Sequence, residues 1–204
     1  AVELDRNLTT RLLAAFSIHK GFTLHSADAL SFDFAGLASP TRQLRVVGNL
    51  PYNLSTPIII RLLEQKAVIE DMHFMLQLEV VDRLAAEPGS KAWGRLGVLT
   101  QLQCQVEKLF DVPPEAFYPP PKVQSAVVRL TPWQTSPYPP VHVPDLQRLV
   151  TLAFSQRRKT LRNNFKGTLT DYDFELLSIN PNARAETLNI EDFIAMTNHL
   201  APNT

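Results

Sequence analysis

An apolar run, Leu44–Gly48, passes directly into Asn49-Leu50-Pro51-Tyr52-Asn53, then into Ser55-Thr56-Pro57 and the stretch Ile58–Gln65. The run has the length of a short buried strand. Ser and Thr as an N-cap pair, with proline at the first helical position, announce a helix. The five residues from Asn49 to Asn53 therefore occupy a strand-to-helix turn. Open α/β sheets place their ligands at such turns, outside the carboxyl ends of the strands.

The rest of the chain fits that architecture. Val2–Leu4 ends a strand, Leu8, Leu12, Leu13 and Phe16 mark an amphipathic helix, and Phe22–Ser26 is a strand running to Asp28. Met72–Gln77 is a strand leading to the helix Glu79–Ala86. Alternating strands and helices predict a mostly parallel sheet flanked by helices. Leu99–Val106 reads as a further helix, with Cys104 as a small core residue. Ten of the 16 prolines fall between Pro113 and Pro144, a window holding one strand, Val123–Leu130, and a linker, Thr131–Pro144. Beyond the linker the pattern is helical throughout, which divides the chain into residues 1–137 and 138–204.

Composition excludes several classes. No apolar stretch in the 204 residues approaches the ~18 needed to span a bilayer. A single cysteine rules out an internal disulfide and suits a reducing, cytoplasmic setting. Neither CxxC nor HxxxH spacing occurs, so no metal site is expected.

The net charge is zero, but unevenly spread: residues 146–170 carry six basic side chains and no acid, whereas residues 171–204 carry six acids and one Arg. Leu146, Leu149, Val150, Ala153, Phe154, Leu161 and Phe165 recur near the helical period and predict a buried face. Arg158 and Arg162 lie four apart on another face, with Lys159 alongside. Without compensating acids, phosphate contact is the better reading of this cluster than a solvated face. Lys91, Trp93 and Arg95, in a loop bounded by glycines, are weaker candidates for the same role.

The turn itself suits an exocyclic aromatic amine. The amino group of adenine is a poor nucleophile because its lone pair is delocalised into the ring. Two acceptors, the Asn49 side-chain oxygen and the Leu50 carbonyl beside Pro51, would hold its two N–H bonds and favour a tetrahedral nitrogen. Fixed dipoles then stabilise charge developing on that nitrogen without a strong base. Tyr52 would stack on a base that has left its helix. The plainer reading is a proline turn with an asparagine cap and a core tyrosine.

Four stretches decide between the two: Val2-Glu3-Leu4-Asp5-Arg6, Ala27-Asp28-Ala29, the Asn49–Asn53 turn, and Phe117-Tyr118-Pro119-Pro120-Pro121-Lys122-Val123-Gln124-Ser125. In that order they resemble the ribosomal RNA adenine N6,N6-dimethyltransferases. A fifth stretch, Gln156–Asn163 with Arg157, Arg158, Lys159 and Arg162, points to the branch acting on small-subunit rRNA. The resemblance implies a Rossmann-like S-adenosylmethionine-dependent catalytic sheet followed by a small all-helical domain.

It further implies that Glu3 accepts the cofactor's ribose hydroxyls, Asp28 its adenine amine, and that Asn49 borders both cofactor and target base. Left to themselves, Glu3 is a surface carboxylate near Asp5 and Arg6, and Asp28 an N-cap. An isolated phenylalanine ordinarily packs in a core; the match of its loop assigns Phe117 to the flipped adenine, opposite Tyr52, in a segment stiffened by proline. Lys122 joins Arg157, Arg158, Lys159 and Arg162 as an RNA contact.

One departure stands out. The family's glycine-rich loop belongs roughly 20 residues before the ribose-binding acid, and no two of the seven glycines are separated by a single residue. The expectation is that the N-terminal strand, its loop and the first helix are missing.

The resemblance implies dimethylation of two adjacent adenines in a hairpin loop near the 3′ end of small-subunit rRNA. The expected partner is that rRNA within an immature ribosomal subunit, met by a monomer. Two rivals remain: a large-subunit rRNA methyltransferase of the macrolide-resistance type, against which overall neutrality counts, and a non-catalytic RNA-binding assembly factor.

Overall fold

A computed structural model describes residues 1–39 and 41–201. The last three residues of the expected helical domain, 202–204, lie outside the described residues. Two short strands, β1 (Val2–Glu3) and β2 (His25–Ser26), pair in parallel through Val2↔His25 and Glu3↔Ser26. Between them runs α1 (Arg6–Phe16), whose first N–H groups are capped by Asp5, accepting from Asn7 and Leu8 at 2.7 and 3.1 Å. The apolar spacing forms this helix as expected, yet Leu8, Leu13 and Phe16 remain exposed and only Thr9 is buried.

The larger sheet has the order β3-β4-β6-β5, formed by β3 (Leu44–Asn49), β4 (Ile69–Gln77), β5 (Cys104–Val112) and β6 (Ser125–Pro132). β3 and β4 are parallel, joined through α2 (Ser55–Glu64). Both pairings of β6, with β4 and with β5, are antiparallel. The expectation of a mostly parallel sheet is thus corrected for its second half. The reason is connectivity: parallel neighbours need a crossover, whereas the proline-rich loop after β5 simply turns the chain back into β6.

Three element assignments also change. The helix expected over Leu99–Val106 is two elements: α4 (Arg95–Gln101) ends, and Cys104 opens β5. Cys104 is fully buried as a core residue, and desolvation pushes its thiol up to about 12. In α2, Leu54 and not the Ser55–Thr56 pair occupies the cap position, with no side-chain cap bond. Pro57 is then the third helical residue, still among the first four whose N–H groups have no helical partner.

The basic stretch expected as one helix is α5 (Val143–Ala153), a turn, and the short α6 (Leu161–Asn164). Leu146, Leu149, Val150, Ala153, Leu161 and Phe165 are nevertheless buried, and Phe154 is partly so.

Two apolar clusters hold the molecule together. One lies on the sheet and includes Ile59, Leu62, Phe74, Leu76, Val128 and Leu130. α3 (Leu78–Leu84) adds Val81 and Leu84 to it. The other gathers α5, α6, α7 (Asp171–Leu176) and α8 (Ile190–Leu200) around Leu146, Val150, Phe165, Phe174 and Phe193. It also takes in Trp93, Val98, Leu99 and Leu102, which precede the linker in sequence. α7 and α8 both begin with capping boxes, Thr170/Asp173 and Asn189/Asp192, which satisfy exposed N–H groups reciprocally. Hydrogen bonds from Thr170, with another from His199, hold the Asp173 carboxyl down at about 2.

Candidate active site

Asn49 ends β3 opposite Met75 of β4, and the Leu50 N–H donates to the Met75 carbonyl at 3.4 Å. The chain then turns, with the Leu54 N–H donating to the Pro51 carbonyl at 2.9 Å. Gly48 lets the turn close tightly, since a Cβ there would stand 3.1 Å from the Leu50 side chain and 3.7 Å from the Phe74 ring. Asn49 is exposed, and among the described residues its amide has no hydrogen-bond partner. It does not cap α2, which has no side-chain cap bond.

Tyr52 is held at both ends. The Ser55 hydroxyl donates to its carbonyl at 3.1 Å, and its phenol oxygen lies 2.9 Å from the Ser125 hydroxyl. Nothing local in the sequence gives either serine this role. Ser55 has the pattern of a cap, and the spacing of Tyr52 and Ser125 announces no contact across 73 residues.

A groove of about 420 Å³ runs between β1–β2 and β3, and Glu3, Asp28, Asn49, Leu50 and Pro51 all line it. The two carboxylates meet there because β1 and β2 are parallel neighbours, a pairing extended by the Ala27 N–H donating to the Glu3 carbonyl at 3.1 Å. Each is fixed by one oxygen. Glu3 Oε1 accepts from the Asp5 N–H at 2.8 Å, and Asp28 Oδ1 from the Leu30 N–H at 2.9 Å.

The turn-capping role of Asp28 is therefore real, and its second oxygen has no hydrogen-bond donor among the described residues. Two oriented carboxylates over walls that include Val2, Ala29, Val46 and Leu50 suit a nucleoside, which offers hydroxyl and amine donors and an apolar ring. A larger open depression over Leu37, Thr41, Arg45 and Glu70 gathers none of the candidate residues.

Phe117 lies outside that groove, partly buried, after the short turn Pro114–Ala116. Its loop ends at β6, where the Leu78 N–H donates to the Gln124 carbonyl at 2.9 Å. No ring contact joins Phe117 to Tyr52 among the described residues.

The basic cluster is rearranged most. Arg157, Arg158 and Lys159 lie in the turn after α5, and only Arg162 is helical. The expectation that no acids compensate them is corrected, because folding supplies acids from elsewhere. Arg157 Nε lies 3.3 Å from Glu186, and another of its nitrogens donates to the Lys91 carbonyl; Arg162 Nε lies 2.9 Å from Asp171. Arg158, Lys159 and Lys122 are exposed and have no ion-pair partner among the described residues. Trp93 is buried, with its indole N–H donating to the Leu188 carbonyl at 2.9 Å, so it is a core residue and not an RNA contact.

Among the described residues no three His, Cys, Asp or Glu side chains converge on a metal-sized site, and no helix is long and apolar enough to cross a membrane.

The profile described as "Ribosomal RNA adenine dimethylase" matches residues 1–202. The chain is 57% identical over 201 residues to "Ribosomal RNA small subunit methyltransferase A" of Saccharophagus degradans, covering 98% of this chain and 75% of that one. With the protein of the same name from Pseudomonas aeruginosa it shares 53% identity over 200 residues, again covering 98% and 75%.

Among solved structures, it resembles a dimethyladenosine transferase from Plasmodium falciparum at a TM-score of 0.76 and 22% identity, covering 96% of this chain and 78% of that one. It also resembles the 23S rRNA methyltransferase ErmE at 0.70 and 22%, covering 98% and 80%. These two structural likenesses concern the fold.

Proposed function

The chain belongs to the ribosomal RNA adenine dimethylase family, and from that premise we infer that it dimethylates adenines of small-subunit rRNA at N6. S-adenosylmethionine, when bound, supplies an electrophilic methyl group. The observation that carries this reading is the convergence of Glu3, Asp28 and Asn49 on one groove beside the Asn49–Asn53 turn. High identity to relatives named for the small subunit favours this over a large-subunit activity. Membership of a family named for its dimethylase activity favours chemistry over RNA binding alone.

Within that activity, Glu3 receives ribose hydroxyls and Asp28 the cofactor's adenine amine. Asn49 and the Leu50 carbonyl hold the target amine, Pro51 fixes the turn, and Tyr52 and Phe117 offer faces to the extruded base. Stacking on an aromatic is worth ~1–3 kcal/mol per base, comparable to the few kcal/mol needed to extrude it. Residues 1–137 form the catalytic unit and 138–204 the helical one. The substrate is a pair of adjacent adenines in a 3′-terminal hairpin loop, met within an immature subunit by a cytoplasmic monomer. Transfer of labelled methyl groups into small-subunit RNA, and not into large-subunit RNA, tests the assignment.

Docking falls to the cations that folding leaves without acids. Arg158→Ala with Lys159→Ala should weaken subunit binding and reduce its log–log salt slope by ~1–2, about one counterion for each phosphate no longer neutralised. Arg157 and Arg162 hold Glu186 and Asp171 as well, so replacing them should also loosen α6 and its neighbours. Subunit binding across several salt concentrations checks this: an unchanged slope in the Arg158/Lys159 variant would make those side chains bystanders.

A further inference from the structure

Ser125 is fully buried at the first position of β6, and its hydroxyl lies 2.9 Å from that of Tyr52. The two residues belong to elements that are not neighbours. The turn bearing Tyr52 follows β3, which pairs with β4, and β4 stands between β3 and β6. Tyr52 therefore reaches across the carboxyl end of β4, where Gln77 pairs with Ser125. On its other side Ser125 is paired with Val112, the last residue of β5. A serine enclosed by strands on both sides has a fixed Cβ, and the bond to Tyr52 selects where its hydroxyl points. The main chain of Tyr52 is pinned as well, because Ser55, itself almost fully buried, donates to its carbonyl at 3.1 Å.

A tyrosine hydroxyl in a core ordinarily finds a partner too, so the bond alone assigns no role; its setting does. The turn is open to solvent at Asn49, Pro51 and Asn53, and Tyr52 is only partly buried. What the two serines accomplish is to hold the main chain of Tyr52 and the far end of its ring before any ligand arrives. A preset aromatic loses no rotamer freedom on binding, and that loss otherwise weakens capture. The hydroxyl pair also links two separate segments of the chain. Ser125 is the first strand residue after the Phe117–Gln124 loop, so it ties that loop to the Asn49–Asn53 turn.

We propose that Ser125 is a positioning residue for the target base: its buried hydroxyl clamps the Tyr52 phenol and holds the ring as a ready-made face for the purine. The proposal rests on the reading of the Asn49–Tyr52 turn as the adenine site. Ser125 does not touch the base; it acts through Tyr52.

The test uses the full-length protein and small subunits carrying 2-aminopurine, whose fluorescence falls on stacking, in place of one target adenine. Ser125→Ala, Tyr52→Phe and the double variant are compared with the parent. Tyr52→Phe keeps the ring and removes only the hydroxyl. Each single variant should bind subunits within about twofold of the parent, show weaker quenching at saturation, and lose about tenfold in kcat on the natural RNA with KM unchanged, the scale of one neutral hydrogen bond.

The double variant should be no worse than Tyr52→Phe alone, because the same bond is broken in both. Parental quenching and kcat in Tyr52→Phe would overturn the proposal, as would losses that multiply in the double variant. If the parent binds subunits but gives no quenching at all, the adenine-site reading falls and this inference with it.

Discussion

Asn49→Ala should lower the single-turnover rate of methyl transfer by about 10²–10³, the cost of removing one preorganised partner of a transition state. The adenine amine has little basicity to offer, so its reactivity depends on acceptors that hold both N–H bonds while charge develops on nitrogen. On the proposed reading the Asn49 amide is one acceptor, and the Leu50 carbonyl, which no side-chain substitution removes, is the other. Stability and RNA affinity should stay near parental values, because Asn49 is exposed and its amide has no partner among the described residues. Tyr52→Ala should differ by weakening capture of the base as well as the rate. Measured under single turnover with saturating RNA, a parental rate for Asn49→Ala would remove it from the chemistry.

The second large effect concerns stability. Trp93 is 1% exposed and sits in the helical cluster although it precedes the linker by some 40 residues of sequence. Its indole N–H donates to the Leu188 carbonyl at 2.9 Å, which ties the segment before α4 to the one entering α8. Trp93→Ala should cost ~3–5 kcal/mol from reduced burial and the cavity left behind, lowering Tm by on the order of 10 °C. Trp93→Phe keeps much of the apolar packing but leaves the Leu188 carbonyl without its donor, a loss of about 1–3 kcal/mol. Thermal unfolding of the two variants checks the order: equal melting temperatures would mean the hydrogen bond, and not the packing, dominates.

What is legible in the sequence is local. The Asn49–Asn53 turn can be read because strand, proline and helix signals follow one another within about twenty residues. Asp28 is legible as a cap for the same reason, whereas Asp5 reads only as a surface carboxylate and its capping of α1 emerges from the structure. β5 escapes such a reading because apolar residues recur from Leu96 through Leu102 to Cys104 and Val106, with no proline, and no glycine after Gly97, to mark the end of α4. The period-two alternation Cys104-Gln105-Val106-Glu107 is the signal that marks it.

The basic cluster misleads for the opposite reason. Its charges are local in sequence, but the acids that pair with Arg157 and Arg162 come from Glu186 and Asp171, a matter of tertiary packing. The Tyr52–Ser125 hydrogen bond belongs to the same class: a long-range bond between two hydroxyls leaves no periodicity to find.

On the proposed reading this chain places two methyl groups on N6 of small-subunit adenines through the Asn49–Tyr52 turn. Mass spectrometry of the 3′-terminal rRNA fragment, after incubating immature small subunits with full-length protein and S-adenosylmethionine, tests it most directly. Four methyl groups should be added, two on each of two adjacent adenines, and Asn49→Ala should abolish or markedly slow their addition. An unmodified fragment from the parental protein, or methyl groups found only in large-subunit RNA, would contradict it.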